Sequence, residues 1–257
     1  MIVGINARRI VGCSELSTAL IAYLAAVIWL SRTWPGAGQA PVSQTQLGVF
    51  WITYALLWAA LGVMATCLWR GKTRRGGTRA VVLLVVIAAV VRVVIALAGP
   101  PVLSDDIWRY IHDGAVLGRG DNPYAQAPAE MAPKRVPEAR VHQRISYPEL
   151  VTIYQPASQY VFAALSEANA RLPAAARQAD AMGDHTFRIG FVLFDVLIVG
   201  MLAWRLRAAG RSPWWASLYA LHPLALAEIA GSGHQDVIGI AAMLAGLMLI
   251  ERANMRW

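Results

Sequence analysis

Six stretches of the 257-residue chain stay apolar for long enough to cross a bilayer, because a helix rises about 1.5 Å per residue and the hydrocarbon layer is about 30 Å thick. They run roughly from Leu16 to Leu30, Leu47 to Trp69, Ala80 to Ala98, Phe187 to Trp204, Pro213 to Ala230 and His234 to Ile250. Between the third and fourth, from Gly99 to about His185, the pattern turns amphipathic. A structureless connection of that length would be unusual, so this segment is expected to hold helices of its own. Ser104 can cap one whose first turn carries Asp105 and Asp106. On a wheel of about 100° per residue, Asp105, Asp106, Arg109, His112 and Asp113 share one arc, with Ile107, Trp108, Ile111 and Ala115 on the other side. This predicts a helix lying on the membrane with its polar face toward water. "ASQYVFAALSEANARL" is expected to be interfacial too; as a span it would place Arg205, Arg207 and Arg211 outside.

Composition agrees with the pattern: 57% of residues are hydrophobic and 15% charged. The reading is an all-α, polytopic membrane bundle of about six spans, one membrane domain over 1–257 with an external insertion at 99–185. A net charge of +8 in a soluble chain would suggest nucleic acid, but here it marks topology. Arg8 and Arg9, the run Arg70, Lys72, Arg74, Arg75 and Arg79, the trio Arg205, Arg207 and Arg211, and Arg252 with Arg256 all fall on one side if the spans alternate. That side, and the N-terminus with it, is cytoplasmic. The first span reads as a retained signal anchor, and Cys13 and Cys67 as structural thiols near the cytoplasmic face.

Two clusters of titratable residues then share the external side. One acidic side chain in the first turn would satisfy a helix dipole. Two, with Arg109 and Asp113 beyond them, make a site where like charges can raise one carboxyl toward the range of a general base. "GSGHQD", Gly231 to Asp236, displays His234 and Asp236 from a glycine turn between the last two spans, with Glu228 one turn earlier. The alternative for each is a stabilised helix end. Within the apolar stretches, Asp195 and His222 lie at similar depth and are expected to pair; Arg92 either snorkels or meets an anionic group in a cavity.

Taken together, "SDDIWRYIHDG", "GRGDNPYAQAP", "YPELVTIYQPASQYVFA" and "HPLALAEIAGSGHQDVIG" resemble the GT-C glycosyltransferase superfamily, in particular bacterial mannosyltransferase-like members using polyprenyl-phosphate sugars. The resemblance runs from about Arg92 to the C-terminus. It departs from the family pattern at Tyr147, Gln155 and His222. It implies a multi-pass protein of the bacterial cytoplasmic membrane with an external active site, and a carboxylate of the first external loop, Asp105 or Asp106, as catalytic base. It also implies a polyprenyl-phosphate hexose donor, with mannose the candidate sugar, and a lipid or glycan acceptor, with membrane lipids around the fold and no nucleic-acid partner. Such enzymes carry more spans than this chain, which therefore reads as an N-terminal half or a truncated frame.

The chemistry suits the residues independently. A sugar phosphate needs one base for the acceptor proton and cations for the departing phosphate, whereas a glycosidase needs two carboxylates in separate roles. Arg109, Arg144, Arg188 or His234 could hold phosphate, and Asp113, Tyr124, Tyr154 and Asp236 complete the expected substrate-binding set. No resident metal is assigned, although a divalent cation bridging the acid pair and Asp236 is an option. The rival class is a transporter or lipid-handling protein with a polar path through Arg92, Asp195 and His222. Against it stand cytoplasmic span halves with almost no ionisable residues, and the apparent absence of discontinuous helices. An inactive fragment is the third reading.

Overall fold

The computed structural model describes residues 43–70, 77–101, 103–132 and 136–254, with six separate helical positions between 18 and 29. The expected first span, the groups around Arg8, Lys72, Arg74 and Arg256, and Cys13 therefore lie wholly or largely outside the described residues. The main helices are α1 (Gln44–Arg70), α2 (Thr78–Leu97), α3 (Asp106–Gly118), α4 (Val136–His142), α5 (Pro156–Ala170), α6 (Ala174–Ala179), α7 (Asp184–Ala208) and α8 (Asp236–Asn254). No strand occurs among the described residues.

Among the described residues, three helices are long and apolar enough to cross a membrane: α1 over Gln44–Thr66, α2, and α7. A capping box opens α1: Gln46 N–H donates to Ser43 Oγ at 3.2 Å, and Ser43 N–H to Gln46 Oε1 at 2.9 Å. In α2 the buried stripe is Val81, Leu84, Ala88, Val91 and Ile95, the 3–4 spacing of one helix face, while Val82, Leu83, Val86, Val90 and Val94 point outward. An outward face this apolar is suited to lipid. The inner stripe meets Leu57 and Ala60 of α1 and Val192 and Val199 of α7.

Cationic residues gather at one end of this bundle. Arg205 of α7 pairs with Glu251 of α8 at 2.6 Å, Arg207 lies over Trp204, and Trp69 at the end of α1 contacts Trp215. At the opposite end, Arg188 of α7 donates to the Gly99 carbonyl just past α2 and, at 3.5 Å, to the Gly231 carbonyl just before α8. A third bond, at 2.9 Å, joins it to Asp184.

The expected span from Pro213 to Ala230 is not one helix. It breaks into a 3₁₀ turn (Pro213–Ala216), single turns at Ser217–Ala220 and Pro223–Ala225, and a π-helical turn at Leu226–Ser232. Pro223 has no N–H to continue the ladder, so carbonyls before it lose their helical donors. Within this break Arg92 Nη1 donates to Ala220 O at 2.6 Å, and its Nε to Asp195, whose other oxygen accepts from Tyr219 at 2.6 Å. Asp195 therefore pairs with Arg92 and not with His222, correcting the expectation from depth. The break carries His222 to the face of Trp58, ring centres 4.6 Å apart. A discontinuous helix is thus present after all, but its freed backbone is closed off by completely buried side chains instead of opening onto a path.

The segment between α2 and α7 packs as a helical layer with α3 against α5. The wheel placed the polar face of α3 toward water; α5 covers its Arg109 and Asp113, while Asp105 stays exposed and Asp106 and His112 half-buried. Arg109 and Asp113 are buried, paired at 2.9 Å, and Gln159 of α5 donates to Asp113 at 3.0 Å and to Thr152 Oγ1 at 2.9 Å. Gly114 sets the approach, since a Cβ there would lie 2.4 Å from the Phe162 carbonyl oxygen. Gly114→Val is expected to cost about 1–3 kcal/mol of stability through overpacking. Gly118→Ala, with nothing within 4 Å of the added carbon, is expected to be neutral or to gain up to about 1 kcal/mol. Thermal midpoints in detergent check both.

Candidate active site

The acid pair sits at the head of α3. Ser104 Oγ accepts from Asp106 N–H at 3.2 Å, and Asp105 occupies the position just before the first helical residue, where free N–H groups favour negative charge. Partial burial pushes the Asp105 carboxyl above its ordinary value. The Trp108 side chain, donating a hydrogen bond, opposes that shift; the neighbouring Asp106 adds to it and Arg144 opposes it. Trp108 is buried, and the Arg144 guanidinium lies 4.8 Å over its ring. One indole thus fixes both a carboxylate and a cation beside it.

The glycine turn reaches this point from the other end of the chain. The π-helical turn ends at Gly233, whose φ of +81° is left-handed and whose absent Cβ would fall 2.6 Å from Ile107 Cδ1 and 3.0 Å from Arg188 Cγ. Only glycine satisfies both the dihedral and the contact. Pressed against the first turn of α3, the loop sets His234 Nδ1 3.7 Å from Asp106 Oδ2, with Nε2 3.1 Å from Glu228 Oε2. The hydrogen bond with Glu228 raises the His234 pKa, burial lowers it, and the charges of Glu228, Asp106 and Asp236 raise it further. Ser158 at the start of α5 donates to Gln235 at 2.6 Å, anchoring the loop on a second side.

Behind the carboxylates the Tyr110 hydroxyl bonds to that of Tyr154, their rings edge-to-face at 4.8 Å. Burial pushes both phenols up, so both stay neutral donors at physiological pH. Tyr124 donates its hydroxyl to the Tyr154 carbonyl at 2.5 Å, following an Asx turn in which Asn122 Oδ1 accepts from Tyr124 N–H.

Of the residues singled out from sequence, Asp105, Asp106, Arg144, Tyr154, His234 and Asp236 gather around the head of α3. Arg188 lies beneath, committed to Asp184 and two backbone carbonyls. Arg109 and Asp113 belong to the α3–α5 network, although one buried nitrogen of Arg109, Nη2, has no hydrogen-bond partner. Tyr124 is exposed and supports Tyr154 through its backbone. Glu228, Trp108, Ser158 and Gln159 were not selected as site residues from sequence. Glu228 had a usable signal, one turn before the glycine loop; the others look like ordinary helix residues until α3 and α5 meet.

The chain matches the family model described as alpha-(1->6)-mannopyranosyltransferase, N-terminal domain, over residues 9–257. It belongs to this family. No curated protein and no solved structure matches it. The carboxylates, cation and phenols at the head of α3 are thus those of a glycosyltransferase-family membrane domain, and the GT-C mannosyltransferase-like resemblance, as an N-terminal half, agrees with the match.

Within this mannosyltransferase-family domain, the group of potential metal ligands among the described residues is not the acid pair with Asp236. It is Asp180, Asp184 and His185, with ligand atoms within 4.8 Å of one another. Asp180 already accepts from the backbone N–H groups of His185 and Thr186 at 3.0 and 2.8 Å and from Asn169 at 3.1 Å, while Asp184 pairs with Arg188. These carboxylates fasten the start of α7.

Proposed function

We propose that this chain is the N-terminal part of a GT-C-like enzyme of about six spans in this region, transferring mannose from a polyprenyl phosphate to a lipid or glycan acceptor on the external face of the bacterial cytoplasmic membrane. The single observation that carries the reading is the junction of two distant stretches, Asp106 and His234 within 3.7 Å, at the bundle end opposite the arginines. The orientation follows from that separation, since cytoplasmic flanks hold excess Arg and Lys.

Asp105 is the general base. Asp106 is engaged by His234, while Asp105 keeps a solvent-facing carboxyl whose raised pKa suits proton abstraction. It takes the proton of the acceptor hydroxyl as that oxygen bonds to the sugar's anomeric carbon. The bond from that carbon to the phosphate oxygen breaks, and polyprenyl phosphate leaves with the electron pair. Arg144 beside Asp105 is placed to receive the departing charge. His234, Asp236 and Tyr154 contact the sugar, and Tyr124 and Asp113 hold that wall in place.

Full-length protein in membrane vesicles tests the donor class. With labelled mannose supplied on a polyprenyl phosphate, transfer is expected; with the same sugar on a nucleotide diphosphate and no lipid donor, none is. Equal transfer from the nucleotide sugar alone would overturn the reading.

A further inference from the structure

In the stretch that leads into α5, the usual arrangement of apolar and polar side chains is reversed. Val151 and Ile153 stand 46% and 79% exposed, whereas Thr152 between them is 5% exposed. Turning a hydroxyl inward here leaves two large apolar groups outside, against the ordinary gain from burial. Such a hydroxyl has to be held by partners, because burying it without them costs free energy.

Its partners come from three elements. Gln159, 1% exposed in the first turn of α5, donates from Nε2 to Thr152 Oγ1 at 2.9 Å and to Asp113 Oδ2 of α3 at 3.0 Å. The Tyr154 N–H donates to the same threonine oxygen at 3.4 Å. Both acceptor sites of that oxygen are thus in use. The amide oxygen of Gln159 is buried with no hydrogen-bond partner. The amide therefore serves Asp113 and Thr152 at the expense of its own acceptor.

The far end of this relay acts on Tyr154. Thr152 takes its N–H, the Tyr124 hydroxyl donates to its carbonyl at 2.5 Å, and Tyr110 meets its ring edge-to-face at 4.8 Å. These contacts fix the backbone on both sides and the plane of the ring. The half-buried phenol is left beside Asp106.

We propose that Thr152 is a positioning residue for the sugar-binding phenol: through its hydroxyl, the buried α3–α5 network of Asp113 and Gln159 sets where Tyr154 stands beside the acid pair. The proposal rests on the role given to Tyr154 in the transfer reaction and adds the device that places it.

Two substitutions separate this role from packing. Thr152→Val keeps the shape and loses the oxygen; Thr152→Ser keeps the oxygen and loses a methyl group. In full-length protein in nanodiscs, Thr152→Val is expected to raise the KM for mannosyl polyprenyl phosphate about tenfold with kcat within about twofold, because Tyr154 then holds the sugar less well in ground state and transition state alike. Thr152→Ser should stay within about twofold of wild type in both constants. A merely destabilised protein would show the other pattern, fewer active molecules and so a lower apparent kcat at unchanged KM. Gln159→Met is expected to raise KM in the same way, and the double variant Thr152→Val with Gln159→Met no further than the worse single variant, since both cut one relay. Hydrogen exchange of the segment around Tyr154 needs no turnover; it should quicken several-fold in Thr152→Val and not in Thr152→Ser. An unchanged KM in Thr152→Val, a serine variant as impaired as the valine one, or additive effects in the double variant would overturn the proposal. A wild-type protein that uses no lipid-linked sugar overturns the transfer reading instead, and the relay then stands or falls on the exchange difference.

Discussion

Asp105→Asn is expected to cut sugar transfer by a factor of about 10²–10⁴, the usual worth of a positioned general base. The amide keeps the size and the helix-head position but cannot accept the acceptor's proton. Asp106→Asn is expected to cost less, because its contact is with His234, 3.7 Å away, and not with the reacting hydroxyl. If Asp105→Asn transferred normally while Asp106→Asn did not, the roles would be exchanged. The pH profile gives an independent reading. As the proposed base, Asp105 must be ionised to act, and since burial holds its pKa above the ordinary carboxylate value, activity should rise with pH through a limb displaced upward from that value. The His234 pKa is raised chiefly by the hydrogen bond with Glu228, so activity that uses the imidazolium charge falls as pH rises through that pKa. Glu228→Gln removes the main cause of the increase and should move the alkaline limb to lower pH while leaving the acid limb in place. Profiles of kcat/KM for wild type and this variant report both limbs.

Asp195→Ala is expected to destabilise the bundle by about 3–5 kcal/mol, the cost of leaving one member of a buried ion pair alone. Arg92 would remain completely buried with only carbonyl partners, and a guanidinium cannot shed its charge. Arg92→Met should be less damaging, because the abandoned Asp195 keeps Tyr219 as a hydrogen-bond donor at 2.6 Å. Its residual cost is the Ala220 carbonyl, which loses its Arg92 donor. The double variant Arg92→Met with Asp195→Leu should recover much of the loss, as buried pairs replaced by apolar groups of similar volume often do. Unfolding midpoints in a detergent series measure all three.

The meeting of Ser104–Asp113 with Gly231–Asp236 was legible in the sequence because it needed only topology: alternation of spans and the arginine bias put both stretches at one end. The partner of Asp195 was not. Counting depth along the segment from Pro213 to Ala230 assumed an unbroken helix, and a proline in its middle with a π turn after it moves every later residue. The same limit applies to α3. Its polar arc was readable from the heptad-like spacing, but whether water or another helix lies over that arc depends on Gly114 and Gln159, whose roles appear only when α5 is docked. Arg188 was readable as a cation near the outer boundary, and its commitment to the Gly99 and Gly231 carbonyls was not, because backbone acceptors leave no mark in sequence.

That fastening has an implication for biosynthesis. A nascent chain that has emerged only as far as α3 already displays both carboxylates, yet the residue that clamps the end of α2 arrives some eighty positions later and the loop it grips later still. The fastening of this end is therefore completed only once the glycine loop has been synthesised, and until then the two carboxylates stand at the head of α3 without the histidine that faces Asp106.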